Sequence, residues 1–148
     1  MILSTLWRRA RPGLVAGCVG ALLGPVRLSA QQTLAQAAER ARAAWQAGDM
    51  RALVARSASL QLQIPGAEPS APVGRDQAAH LIQRYLERTE ERNLVMIALR
   101  ESDRSEGFAE LERHYVIRRT RDERCETVWF GFKKLGRNWV LSEVRIAP

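Results

Sequence analysis

The order of elements in this chain predicts an α+β domain, and three observations carry that reading. Two stretches repeat apolar residues every three or four positions on either side of a Gly-Asp joint, "LAQAAERARAAWQAGDMRALV". A third helical pattern, "DQAAHLIQRYL", follows a loop rich in proline. Four long segments of strand character then close the chain with short connections, so the expected order is α-α-β-α-β-β-β-β.

In the first helix Leu34, Ala38, Ala41 and Trp45 share one face, while Glu39, Arg40 and Arg42 fall on the solvated side. Thr33 suits its N-cap, and Gly48 stands where a left-handed C-terminal residue is wanted. Asp49 then caps a short helix from about Met50 to Arg56. Ser59 to Ile64 alternates polar and apolar, the period of a strand. "PGAEPSAPVG" cannot continue it and reads as a loop. A long helix is expected from about Asp76 to Arg92, with Ala78, Leu81, Ile82, Tyr85 and Leu86 inward and His80 on the surface. "NLVMIALRES", "FAELERHYVIRRT", "CETVWFGFKK" and "WVLSEVRIA" supply an antiparallel meander.

The formal charge of +7 divides unevenly along the chain. Residues 1–30 hold Arg8, Arg9, Arg11 and Arg27 and no acid, which leaves 19 basic and 16 acidic side chains beyond them. That balance offers no footprint for nucleic acid. "RHYVIRRTRDER" interleaves Tyr115 with arginines, but Glu112, Asp122 and Glu123 flank it, and a solvated hairpin is the simpler account. The first thirty residues have the layout of a secretory signal: a basic start, the apolar run "LVAGCVGALLGPV", and a small residue at Ala30 before the expected cut. The run is shorter than the roughly 20 residues that span a bilayer. Lipidation at Cys18 and an uncleaved N-terminal anchor are the alternatives, and the residues around Arg8-Arg9 match a twin-arginine signal poorly. The domain division is therefore 1–30 signal and 31–148 a single exported domain, periplasmic or extracellular, touching membrane only through an uncleaved signal. After cleavage Cys125 is the sole cysteine, so no internal disulfide forms, and His80 and His114 lack the partners of a zinc site. No cofactor or metal is expected.

The segments "AAWQAGDMRALV", "QIPG", "VGRDQAAHLIQRYL" and the C-terminal hairpin together resemble the nuclear-transport-factor-2-like superfamily over about residues 33–147. The resemblance implies a cone, in which a strongly curved antiparallel sheet wraps around a long helix. "SLQLQIPGAEPS" with "GRDQAAHLIQRYL", and "GFKKLGRNWVLSEVRIA", look most like a group of exported bacterial domains without an assigned function. The superfamily hosts enzymes, carriers and dimerisation modules alike, so its fold does not supply an activity.

One branch does allow a residue-by-residue comparison. Steroid isomerases place a general base before a proline at the end of the first strand, a tyrosine seven residues ahead of the Gly-Asp glycine, and a protonated acid on a late strand. Here those positions hold Ile64 and Ala41, and "TVWFGF" contains no acid. An aliphatic side chain cannot abstract a proton, so that chemistry is not expected. On a strand, His114, Glu112 and Glu110 share a face that also holds Arg118, which suits a solvated ladder. The alternative is a hydrolase- or isomerase-like enzyme using His114. Cys125 lies near Asp122 and Glu123, acids that would disfavour its thiolate.

Period-two geometry sets Val128, Phe130 and Phe132 against Trp129, and Val140, Val144 and Ile146 against Trp139 and Leu141. The face carrying Trp129 and Trp139 is a candidate surface for a homodimer. The remaining expectation is a greasy interior without proton-transfer groups, enclosing a small hydrophobic ligand against Trp45, Tyr85 and Met96. A non-catalytic binding or interaction domain follows. A homodimerising scaffold without a ligand is the other alternative.

Overall fold

The computed structural model describes residues 31–69 and 71–148; the expected signal segment lies outside the described residues. The chain runs α1 (Leu34–Gln46), α2 (Met50–Val54), β1 (Ser59–Gln63), β2 (Val73–Gly74), α3 (Arg75–Leu86), β3 (Thr89–Glu101), β4 (Glu106–Ile117), β5 (Glu123–Leu135) and β6 (Asn138–Ala147). It is an α+β architecture with one curved six-stranded sheet in the order β2-β1-β6-β5-β4-β3. β3 to β6 form the expected meander of antiparallel neighbours. The pairing of β1 with β6 is parallel, Leu62 opposite Val144, because the chain returns to β1 only after crossing the whole domain.

The helix ends obey local chemistry. The Thr33 side chain accepts from the Gln36 N–H while the Gln36 side chain accepts from the Thr33 N–H, a reciprocal capping box. Gly48 takes φ +70°, as a helix C-terminal residue without a Cβ readily does. The Asp49 carboxylate then accepts from the Ala52 N–H at 2.9 Å, so the Gly-Asp pair joins two caps back to back.

α1 packs on β3, β4, β5 and β6, whereas α3 packs on β1, β2 and α2. The concave face of the sheet supplies Leu111, Val128, Phe130, Phe132, Val144 and Ile146 to a core that also holds Trp45, Leu53, Leu60 and Ile82. Trp45 and Phe130 rings meet at 5.7 Å between centroids.

Three features depart from the sequence reading. α3 ends at Leu86 rather than near Arg92, and the following residues start β3. The inward positions there are Thr89 and Glu91, which are polar and so leave no hydrophobic period to mark a strand. "PGAEPSAPVG" is not wholly irregular, since Val73–Gly74 pairs with β1. Trp139 does not share the outer face with Trp129. The register steps from Gly131 opposite Glu143 to Phe132 opposite Leu141, which leaves Ser142 as an extra residue on β6. That bulge turns Trp139 and Leu141 to the same side as Val144 and Ile146, and both are buried. Trp129 stays outside, with the Arg145 guanidinium 4.9 Å from its ring centre.

Candidate functional site

A cavity of about 580 Å³ opens at one end of the cone. The end of β1 contributes Leu62 and, just beyond it, Ile64. α3 contributes Leu81, Arg84 and Tyr85 at helical spacing, and Arg88 follows one turn on. Thr89 starts β3 while Tyr115 and Ile117 end β4, and Ala67 and Glu68 complete the rim. Leu62, Ile64, Leu81 and Ile117 make the walls apolar, and the inner end is made of hydroxyl-bearing residues.

Behind Tyr85, Thr89 and Tyr115 lies a buried polar cluster that sequence reasoning missed. Arg113 is completely buried on the concave face of β4. It forms ion pairs with Glu91 of β3 and Glu126 of β5. Its Nη2 also donates to Thr89 Oγ1 at 2.7 Å. Trp45 Nε1 donates to Glu91 at 3.0 Å, and the Tyr85 hydroxyl donates to Glu126 at 2.9 Å. The guanidinium lies 4.1 Å from the Tyr115 ring centre, with the Tyr85 and Trp45 rings at 5.8 and 5.9 Å. The aromatic box is thus filled by the protein's own cation.

The expectation of an interior without ionisable groups is therefore overturned. Opposite charges occupy inward positions because each satisfies the other, and no buried side-chain polar atom lacks a partner among the described residues. Electrostatics follow from this packing. Burial works against the charge on Arg113, but its bonds to Glu91 and Glu126 hold its proton more tightly than usual. Burial, and then the bond to Glu126, push Tyr85 well above the ordinary phenol range. Tyr115 is raised as well, by burial first and then by the nearby negative charge of Glu126. Both phenols remain donors at any physiological pH.

The sequence-derived lining residues occupy three different environments. Tyr85 lines the cavity. Trp45 is fully buried behind it, bonded to Glu91, and Met96 packs half-buried against the core. Ile64, at the position where a steroid isomerase has its base, lines the cavity, and Ala41 is buried on the inward face of α1. The acid sought on the late strand lies just upstream of "TVWFGF", as Glu126, and it is engaged by Arg113 and Tyr85. The missing signal was available in the alternation itself. Arg113 continues the inward series of Ala109 and Leu111, and Glu126 continues that of Val128 and Phe130.

His114 points the other way. Its side chain is 40% exposed on the convex face, with Nε2 2.6 Å from Glu112 and Nδ1 3.1 Å from the Cys125 sulfur. Arg118 does not join that ladder; its Nε donates to the Thr89 carbonyl. Among the described residues no group of three or more histidine, cysteine or acidic side chains is arranged to hold a metal.

No protein-family model matches the chain, and no curated protein sequence does. Solved structures do. A DUF4783 family protein from Bacteroides ovatus superposes with a TM-score of 0.61 at 15% identity, over 79% of this chain and 96% of that one. A ketosteroid isomerase-like protein from Erwinia carotovora atroseptica gives 0.62 at 17% identity, over 78% and 95%. A hypothetical protein with the ketosteroid isomerase-like fold from Catenulispora acidiphila, solved in complex with trimethylamine, gives 0.62 at 14% identity, over 78% and 87%. At such identities the likeness concerns the backbone: the chain has the cone-shaped fold of the ketosteroid isomerase-like and nuclear-transport-factor-2-like proteins.

Proposed function

We propose that the chain is an exported binding domain that holds a small, largely hydrophobic molecule in the cavity and performs no chemistry on it. The observation that carries this reading is the cavity itself. Its volume of about 580 Å³ falls in the range typical of small-molecule sites, and its walls are aliphatic. The polar cluster behind it supports binding without turnover. The carboxylates of Glu91 and Glu126 are already engaged by Arg113, Trp45 and Tyr85. A general base needs a free lone pair within reach of the substrate, and here the acids serve each other's neighbours. His114 lies across the sheet from the cavity.

Export rests on the composition of the first thirty residues. A second reading, pairing with another copy of the chain, is favoured by β3. This is an edge strand among the described residues, and it exposes Val95, Ile97 and Leu99.

Native mass spectrometry of the protein recovered after export tests both readings. A retained adduct of a few hundred daltons, together with uptake of the neutral fluorophore 1-aminoanthracene, is the expected result. Absence of both would remove the binding reading, and a dimer mass without either would leave the pairing one.

A further inference from the structure

We infer that the molecule taken by the cavity is an amphiphile whose single anionic head is held at the mouth by Arg84 and Arg88. The inference rests on the cavity being a binding site. Arg84 sits in the last turn of α3 and Arg88 four positions on, so the two side chains rise from one face of the chain. Both line the cavity and both are exposed.

Neither guanidinium has a side-chain partner among the described residues; Arg88 takes part through its carbonyl, which accepts from the Arg118 N–H. Some arginines of the domain are paired: Arg42 with Glu39, Arg92 and Arg121 with Glu90, and Arg113 with Glu91 and Glu126. Among the described residues Arg40, Arg51, Arg100, Arg104 and Arg119 are as free as Arg84 and Arg88. What sets the latter two apart is that both line the same apolar cavity. The acid at the mouth, Glu68, forms no ion pair with either arginine, so the rim keeps an excess of positive charge. The helix dipole favours a cation in the last turn but does not require that it line a cavity.

The inner end fixes the ligand's direction. The Tyr85 hydroxyl is spent on Glu126, and the Thr89 hydroxyl donates to the Leu86 carbonyl while accepting from Arg113. The Tyr115 phenol, the remaining hydroxyl there, stands beside the Glu126 carboxylate, so the donors at that end already serve the protein's own acids. Two carboxylates against one guanidinium also give that end a negative balance, which repels an anion. A tail therefore enters between Leu62, Ile64, Leu81 and Ile117, and the head remains with the arginines at the rim. Charge-assisted bonds from guanidinium to carboxylate, sulfate or phosphate share this chemistry.

The test is calorimetric titration of the purified protein with decanoate, decyl sulfate and decan-1-ol. Both anions should bind about tenfold more tightly than the alcohol, the size expected for charge-assisted bonds at a solvated rim. In the double variant R84Q/R88Q the anions should fall to the alcohol's affinity while the alcohol is unchanged. R88Q alone should give part of that loss. Equal affinity for the alcohol and the anions in the unaltered protein overturns the head assignment and leaves the cavity reading standing. The head assignment falls equally if the double variant keeps its anion preference, or loses alcohol binding in parallel. Failure of the unaltered protein to bind any of the three removes the cavity reading itself.

Discussion

Arg113 and His114 are adjacent on β4, yet they belong to different physical worlds. Each is a cation-forming side chain flanked by glutamates from its own or a neighbouring strand. Arg113 faces the hollow, completely buried, and its charge is shared between Glu91 and Glu126. His114 faces out, touching Glu112 and Cys125 with much of its ring in water. One step along a strand exchanges a medium of low effective dielectric for one close to bulk water, and the same kind of contact changes its energetic meaning. Inside, a removed partner leaves a charge that cannot be solvated. Outside, water takes its place.

Arg113→Met is the sharpest way to break this contrast. It would leave Glu91 and Glu126 facing one another in the core, and a cost of about 3–5 kcal/mol is expected in urea unfolding. Replacing all three residues together with apolar ones of similar size should recover most of that loss, because the desolvation of the ions disappears with them. A single-variant cost below about 1 kcal/mol would mean that the cluster is hydrated, contrary to its burial.

Tyr85→Phe sharpens the same comparison with pH. The fold raises the Tyr85 phenol through burial and its bond to Glu126, so the folded state binds that proton more tightly than the unfolded chain does. Such a group stabilises fully below the unfolded phenol value of about 10, and its contribution fades as pH rises through the folded value. The thermal midpoint should therefore fall steeply above about pH 10. In Tyr85→Phe the fall should be shallower, with Tyr115, also raised, keeping part of the slope. At neutral pH the lost hydroxyl should cost about 1 kcal/mol. A variant with an unchanged alkaline slope would show that the phenol is not linked to folding.

The same contrast explains how far the sequence could be read. The Thr33 and Asp49 caps, the Gly48 turn and the four-strand meander follow from local chemistry and from the period of apolar residues, and they were legible. Hydrophobic period is silent where inward positions are charged. Thr89 and Glu91 hid the start of β3, and Arg113 and Glu126 hid the cluster, for one reason: each is polar and each faces the core. Trp139 was misplaced because a bulge at Ser142 shifts the alternation by one, and no residue type announces that shift. Of the cavity's lining the sequence indicates Tyr85 but not Leu62, Ile64, Leu81 or Ile117, and its rim depends on where α3 stops. Extending that helix to Arg92 would have put Arg84 and Arg88 on an ordinary solvated face.

The smallest effect is expected on the outer side. His114 and Glu112 are two residues apart on the same face of β4, with their nitrogen and oxygen 2.6 Å apart and both side chains about half exposed. The pair gains little in a medium that screens it and costs side-chain entropy to hold. A double-mutant cycle of His114→Gln and Glu112→Gln should return a coupling of about 0.2–1 kcal/mol, shrinking further in molar salt. Neither substitution should alter uptake of 1-aminoanthracene, since the sheet separates the pair from the cavity. A coupling above about 2 kcal/mol would place this pair in the energetic class of Arg113 and undo the distinction between the two faces. Loss of ligand uptake on replacing His114 would instead revive a role for that imidazole, and so would reopen the question of catalysis at a position where the geometry offers no enclosed space for a substrate.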